Sequence, residues 1–393
     1  MRRVTVEPRA DWRRIVEEQG LSYAVLPDEN GQPTTYWDES AYYEFSLAEV
    51  ERLEEVVAEL HEMCVDAVGH VIATARYADY GITDQRVIDL IEQSWRERDR
   101  EISLYGRFDL RYDGSGPARL LEYNADTPTS LLEAAGPQWF WLEDRFPDAD
   151  QWNSLHERLV DAWRKHAITG PVHLAFTMAD EIGEDYITVS YLQECAEQAG
   201  LHTVCLPMEE IGWDPAKLGK GGRFIDEQNR EIKTIFKLYP WEWLVGDQFG
   251  SHAMDLARTG RGPRWIEPAW KMLLSNKALL AILWELHPGH PNLLPAYLDG
   301  PRDLVIHGYV AKPLLGREGA GVQIVTPGFT VGEAAEGPQC YQAFYALPEF
   351  DGSRPVLGAW VVDGEPAGLG IRETSGLITD TGARFVPHAI MDA

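Results

Sequence analysis

Residues 105–128 read YGRFDLRYDGSGPARLLEYNADTP. Residues 105–112 and 118–124 are strand-like, rich in aromatic and aliphatic side chains, and Asp113, Gly114, Ser115 and Gly116 between them have turn chemistry. The stretch predicts a β-hairpin. Side chains alternate faces along a strand, so Arg107 shares a face with Asp109, and Glu122 shares one with Asn124. In a register that pairs the two sets, two carboxylates, one amide oxygen and one guanidinium form a single patch. Carboxylate and amide oxygens are the hard ligands Mg²⁺ prefers, completed by waters and substrate phosphates. A polar, solvated face of an edge hairpin would carry the same residues.

Further along, Lys277 opens an apolar helical run, residues 275–286. Residues 305–311 read as a strand ending at Lys312, followed by Pro313 and the glycine-rich segment 316–321, then a second strand over 322–325. A basic residue beside a glycine-rich turn can fold over phosphates, because glycine permits close backbone approach and successive N–H groups form an anion nest. The GxxxxGK[ST] spacing of a Walker loop is absent.

Together these segments resemble the glutathionylspermidine synthase family in its synthetase part. The strings that carry the resemblance are YGRFD at 105–109, LLEYNADTPTSLLE at 120–133, QWFWLED at 138–144, YLQECAEQAG at 191–200, SNKALLAILWEL at 275–286, AKPLLGREG at 311–319, YQAF at 341–344 and GIRE at 370–373. They run in order over most of the chain. The resemblance implies an α+β fold of rearranged, glutathione-synthetase-like ATP-grasp type, with an α/β pre-ATP-grasp-type substrate domain. It implies an ATP-dependent ligase that joins a carboxylate, of glutathione or another peptide or amino acid, to a polyamine or other amine through an acyl phosphate, with ATP and Mg²⁺ as cofactors. By residue match, Asp109, Glu122 and Asn124 would hold Mg²⁺, and Lys277, Lys312, Arg317 and Gln342 would hold ATP. Arg107 would contact the carboxylate substrate, and Arg372 falls where the family has a mobile arginine near the transferred phosphoryl group. Glu184 and Asp185 fall where the family has acidic polyamine contacts; read as residues alone, they are an acidic first turn that favours a helix dipole.

Two departures are visible. About a hundred residues precede the hairpin, which leaves no room for the N-terminal cysteine amidase domain of well-studied members, so the resemblance is to stand-alone synthetase-like members. The loop after Lys312 reads LLGREGAG where a more polar IAGRxGSN pattern is usual. In this family the acid-x-Asn pair precedes the lysines, so residues 105–124 are expected to lie against residues 270–345. The glycines of 364–380 predict a mobile segment around Arg372. A catalytically inactive ATP-binding regulator or scaffold is the alternative to a ligase.

The chain divides into a mostly helical region 1–100, with apolar residues at three-to-four spacing over 47–76, the hairpin and a Trp-bearing helix over 101–145, an α/β unit over 146–260, and nucleotide-binding lobes over 261–393. In the α/β unit, helices over 151–167 and 186–199 alternate with strands over 172–177 and 202–206, a pattern that favours parallel pairing. The 393 residues, 45% hydrophobic, can bury a core of more than one lobe. With 63 acidic against 35 basic residues the net charge is −28, which argues against nucleic acid and suits a cationic small-molecule partner. Cys64, Cys195, Cys205 and Cys340 show no metal spacing and are expected reduced. The first residues have no apolar signal region and no run reaches a membrane span, so the expected location is cytoplasmic. Residues 219–222 read as an exposed loop, and nothing in the sequence sets an oligomeric state.

Overall fold

The computed structural model describes residues 1–27, 31–179, 182–215, 222–317, 319–380 and 382–391. The predicted hairpin forms, with strands Tyr105–Arg111 and Arg119–Asn124. Its partners come from the far end of the sequence. A five-stranded antiparallel sheet runs in the order Arg384–Phe385, Glu365–Thr374, Arg354–Val362, Tyr105–Arg111, Arg119–Asn124. One face of the hairpin is core: Phe108, Leu110, Leu120 and Tyr123 are buried in the cluster that contains the helix Leu47–Thr74, and the Phe108 and Tyr123 rings stack at 3.8 Å.

The register has one irregularity with a consequence for the other face. Asp109 pairs with Glu122 but Leu110 pairs with Leu120, so Leu121 is the extra residue of a bulge. Without it, Leu120 and Glu122 would share a face; with it, Leu120 enters the core while Glu122 joins Arg107, Asp109 and Asn124 on the opposite side. The neighbouring strand leaves space for this patch. A Cβ at Gly358, which pairs with Asp109, would lie 3.0 Å from Cδ of Arg107.

Beside the hairpin stands a second antiparallel sheet, ordered Ala296–Tyr297, Gln339–Ala343, Tyr309–Pro313, Gln323–Val325, Thr330–Val331. The helix Ala278–Leu286 packs on it. Residues 305 and 306, read as strand, lie in the 3-10 turn Arg302–Ile306 and are exposed. Gly308, at φ +117°, then redirects the chain, so the strand starts at Tyr309.

The α/β unit pairs in parallel as expected, in the order Arg264–Ile266, Thr234–Leu238, Val172–Phe176, Thr203–Pro207. The helix Glu184–Gln198 packs on it, and Leu155–Lys165 packs on that helix and on the strands Arg354–Val362 and Glu365–Thr374. The first hundred residues contain more strand than their composition predicted. Arg2–Thr5 and Ala41–Phe45 form a sheet with His388–Ile390, and Val25–Pro27 pairs with Pro33–Thr35. The long helix that follows starts on a Ser46–Glu49 capping box. Among the described residues no helix is long and apolar enough to cross a membrane.

Candidate active site

The hairpin's polar face meets the second sheet, as the order of motifs predicted. Gln342 Nε2 donates to the Leu120 carbonyl (2.9 Å), and Lys312 Nζ donates to the Leu121 carbonyl (2.9 Å) and to Gln342 Oε1 (2.7 Å). Lys277 Nζ lies 3.2 Å from Glu122 Oε2. The third source of charge is the strand Glu365–Thr374, from which Arg372 Nη2 reaches Asp109 Oδ2 at 2.6 Å, while Arg107 Nε holds Asp109 Oδ1 at 2.8 Å. Burial opposes ionisation of Asp109, yet Arg107 and Arg372 hold its pKa below the ordinary carboxylate value. Glu122 follows the same logic: burial pushes up, and Lys277 and Lys312 together outweigh it. Burial lowers the pKa of Lys312, with the Glu122 charge opposing. Two ionised carboxylates therefore face two lysines and two arginines drawn from four separate stretches of sequence.

Asn124 sits beside them and forms a local turn, its Oδ1 accepting from the Thr127 N–H at 3.3 Å. Among the described residues no group of three or more His, Cys, Asp or Glu side chains could hold a metal ion. Asp109, Glu122 and Asn124 supply two carboxylates and one amide on one face, a donor set that fits Mg²⁺ only when waters and phosphate oxygens complete it. Arg317 is exposed and donates to Thr127 Oγ1 (2.7 Å), with its guanidinium 4.9 Å from the Trp243 ring. Glu318, next in the glycine-rich loop, and residues 219–221 of the predicted exposed loop lie outside the described residues.

Two cavities meet at this cluster. One, of about 200 Å³, joins Arg107, Asp109, Lys312 and Arg372 to an apolar end made by Val322, Ile324 and Phe344, a shape and polarity that suit a nucleotide's phosphates and base. The other, of about 290 Å³, shares Glu122, Asn124, Lys277 and Arg317 with the first and extends towards Glu242 and Val87. Lys312 is 8% exposed and makes both of its side-chain hydrogen bonds to the cluster. Lys312→Ala is expected to weaken Mg²⁺–ATP binding by about 1.5–3 kcal/mol, the range for charged hydrogen bonds. Thermal stabilisation by the nucleotide should shrink accordingly, and wild-type stabilisation in the variant would remove Lys312 from the nucleotide site.

Arg372 was expected on a mobile segment over 364–380, and residues 365–374 of that segment form a strand. Its strand is paired on both sides, Arg372 standing opposite Val356 and Phe385. The glycines there serve packing: a Cβ at Gly368 would sit 3.0 Å from Leu155 and 3.2 Å from the Trp152 carbonyl, and one at Gly370 would sit 3.0 Å from Phe385. The backbone at Arg372 is thus held by neighbours on both sides, and it is the side chain that reaches Asp109.

Glu184 and Asp185 form the first turn of the helix Glu184–Gln198, behind an N-cap glycine. Glu184 also turns towards the site. Its Oε1 accepts from the Ser130 N–H (3.2 Å), one residue beyond the Thr129 carbonyl that Arg107 holds. Sequence reasoning missed its neighbour. Glu133 is fully buried, accepts from Tyr36 (2.5 Å) and Tyr23 (3.1 Å), and keeps one oxygen with no partner. The available signal was a lone glutamate in the apolar run 131–135. Burial, and then the Glu133 charge, raise Glu184 to about 8. The folded chain thus keeps a proton there that the unfolded chain loses around the ordinary 4.5, so this contribution favours folding in acid and is lost as pH rises towards about 8. The thermal midpoint of Glu184→Gln is expected to fall less than wild type across that window; equal slopes would show that Glu184 ionises normally.

A second missed group lies under the cluster. Asp126, two residues after Asn124, is buried against Lys237 Nζ at 2.7 Å and accepts from the Trp241 N–H at 2.9 Å. The lysine within the apolar strand Thr234–Leu238 was its sequence signal.

A family model described as glutathionylspermidine synthase preATP-grasp matches residues 3–391. A Haemophilus influenzae protein with the provisional name acid–amine ligase is 42% identical over 407 aligned residues, covering 99% of each chain. Trypanothione synthetase of Crithidia fasciculata is 29% identical over 83% of this chain and 53% of its own length. The bifunctional glutathionylspermidine synthetase/amidase of Escherichia coli is 28% identical over 94% of this chain and 62% of its own. The chain thus spans somewhat over half the length of these two relatives. Among solved structures, a glutathione synthetase-like effector from Globodera pallida aligns over 98% of both chains with a TM-score of 0.54 at 9% identity, a likeness of fold alone.

Proposed function

The chain belongs to the glutathionylspermidine synthase family, and we propose that it is an ATP-dependent acid–amine ligase built on a rearranged ATP-grasp fold. One observation carries this reading. Residues 107–124 present a metal-type donor face, and Lys277, Lys312 and Arg372, all at least 150 positions later in the sequence, converge on it. A solvated hairpin face would not gather cations from three distant segments.

In this reading Asp109, Glu122 and Asn124 hold Mg²⁺, and Lys277, Lys312, Gln342 and Arg317 hold ATP. When bound, the nucleotide supplies a phosphoryl group to the substrate carboxylate, ADP departs, and the amine then displaces phosphate from the acyl carbon. The chain's own work is charge placement. The lysines offset the repulsion between two anions, and Arg372 and Arg107 stand where charge develops on the phosphoryl and carboxylate oxygens. Buried Glu133 and half-buried Glu184, next to the Arg107 loop, would receive an ammonium group, whose charge restores ionisation of carboxyls that desolvation keeps protonated. The carboxylate partner is glutathione or another peptide or amino acid, and the amine a polyamine or related base; the division into a substrate-binding α/β unit and nucleotide lobes, and a cytoplasmic location, belong to the same proposal.

ADP release measured with thiol peptides and amino acids against polyamines tests it. Release that requires both an acid and an amine, with a condensed product of the summed mass less water, is expected. Nucleotide binding without release for any pair would leave an ATP-binding scaffold as the better reading.

A further inference from the structure

The parallel sheet carries a cavity that the ligase site does not use. It is about 160 Å³ and lies where the strands Thr203–Pro207 and Thr234–Leu238 end, lined by Glu209 after the first and Tyr239 after the second. The carboxyl edge of an open parallel sheet is where such folds bind ligands. Three more rings complete its wall: Phe224, Phe249 and Trp265. Phe224 stands edge-on to Trp265 (centroids 5.7 Å, 80°) and to Phe249 (6.5 Å, 77°), so these three rings pack against one another as one aromatic wall of the cavity. Phe224 and Trp265 are buried, whereas Glu209 and Asp247 are exposed, which puts negative charge at the mouth. Thr177 Oγ1 (3.0 Å) and the Met178 N–H (3.2 Å) donate to Glu209 and fix its orientation. Among the described residues no Lys, Arg or His lines the cavity.

We propose that this aromatic box binds a methylated ammonium group, seated among the four rings with Glu209 and Asp247 at its rim. Aromatic faces carry negative quadrupole charge and attract a cation that has shed its water. The charged rim excludes anions and draws cations in. Methylation is favoured by the interior. Apart from the two carboxylates and Gln248, the lining side chains are apolar or aromatic, and a primary ammonium would bring three N–H donors to walls with few acceptors. None of the box residues belongs to the cluster around Asp109 and Glu122, so the site stands independently of the ligase reading.

Calorimetric titration of choline and of its neutral tert-butyl isostere into the full chain, without nucleotide, tests the proposal. Choline is expected to bind at least about fivefold more tightly than the isostere, the difference being the charge on the rings and rim. Phe249→Leu should weaken choline by about fivefold with an unchanged thermal midpoint, since Phe249 is only half-buried. Asp247→Asn should weaken it and flatten its salt dependence. Lys312→Ala should bind choline as wild type does, which separates this site from the nucleotide site. No heat with choline, equal binding of the isostere, or full binding by Phe249→Leu would overturn the box. Tighter binding of butylamine than of choline would overturn the methylated class.

Discussion

Asp126→Ala is expected to destabilise the folded chain by about 3–5 kcal/mol, the range for removing one partner of a buried ion pair. Lys237 has no exposed surface, and its Nζ has the Asp126 carboxylate at 2.7 Å and the Tyr239 carbonyl at 2.9 Å, with the Trp241 ring 4.7 Å away. Without Asp126 the cation keeps one carbonyl and one ring, and the Trp241 N–H loses its acceptor. The cost is that of an uncompensated buried charge, not the net worth of the pair. The double variant Asp126→Leu, Lys237→Met should therefore recover much of the loss, because apolar replacements of both partners of a buried pair are often neutral. Urea unfolding of the three proteins measures this; a single-variant loss below about 1 kcal/mol would mean that Lys237 finds water or another partner. The pair also bears on function. It anchors the chain two residues beyond Asn124, so Asp126→Asn, which keeps an acceptor near the Trp241 N–H, should disturb Mg²⁺–ATP binding less than Asp126→Ala does.

The hairpin was legible because two signals agreed: alternation on both strands and turn residues between them. The bulge at Leu121 was not. A period-two reading puts Leu120 and Glu122 on one face, and only the pairing with Asp109 and Leu110 separates them. The lysines announced themselves by position, each next to an apolar element or a glycine-rich loop, but their convergence came from the order of motifs. Val305 and Ile306 misled because β-branched residues suit strands, whereas here they are exposed in a 3-10 turn ahead of a glycine at positive φ. The glycines around Arg372 misled in another way. Glycine signals freedom or close approach with the same letter, and at Gly368 and Gly370 the neighbours at 3.0 Å show that it is close approach. Glu133 and Lys237 were hardest to see, since a charge in an apolar run has meaning only once its partner is known.

Arg372→Ala is expected to lower kcat by about 10²–10³, the usual loss on removing one preorganised donor to developing charge, with little change in the KM for ATP. Arg372 already has a partner in the resting chain. Its guanidinium is bound to Asp109 at 2.6 Å, and Asp109 is the carboxylate that a metal would claim. Arg107 holds the other oxygen of Asp109, so the carboxylate is balanced by two cations before any ligand arrives. A metal ion at Asp109 competes with that arrangement, and Arg372, whose backbone is locked in its strand while 19% of its side chain is exposed, is the partner free to turn away towards transferred phosphoryl oxygens. Ground-state affinity for Mg²⁺–ATP should then be unchanged or tighter in Arg372→Ala, since one competitor for Asp109 is gone, even as turnover falls. Arg372→Lys should restore little, because a single ammonium cannot reproduce the planar fork that spans two oxygens. Equilibrium titration of Mg²⁺–ATP alongside steady-state rates separates the two effects. Weaker nucleotide binding with kcat intact would assign Arg372 to holding ATP, and unchanged values of both would make its contact with Asp109 structural.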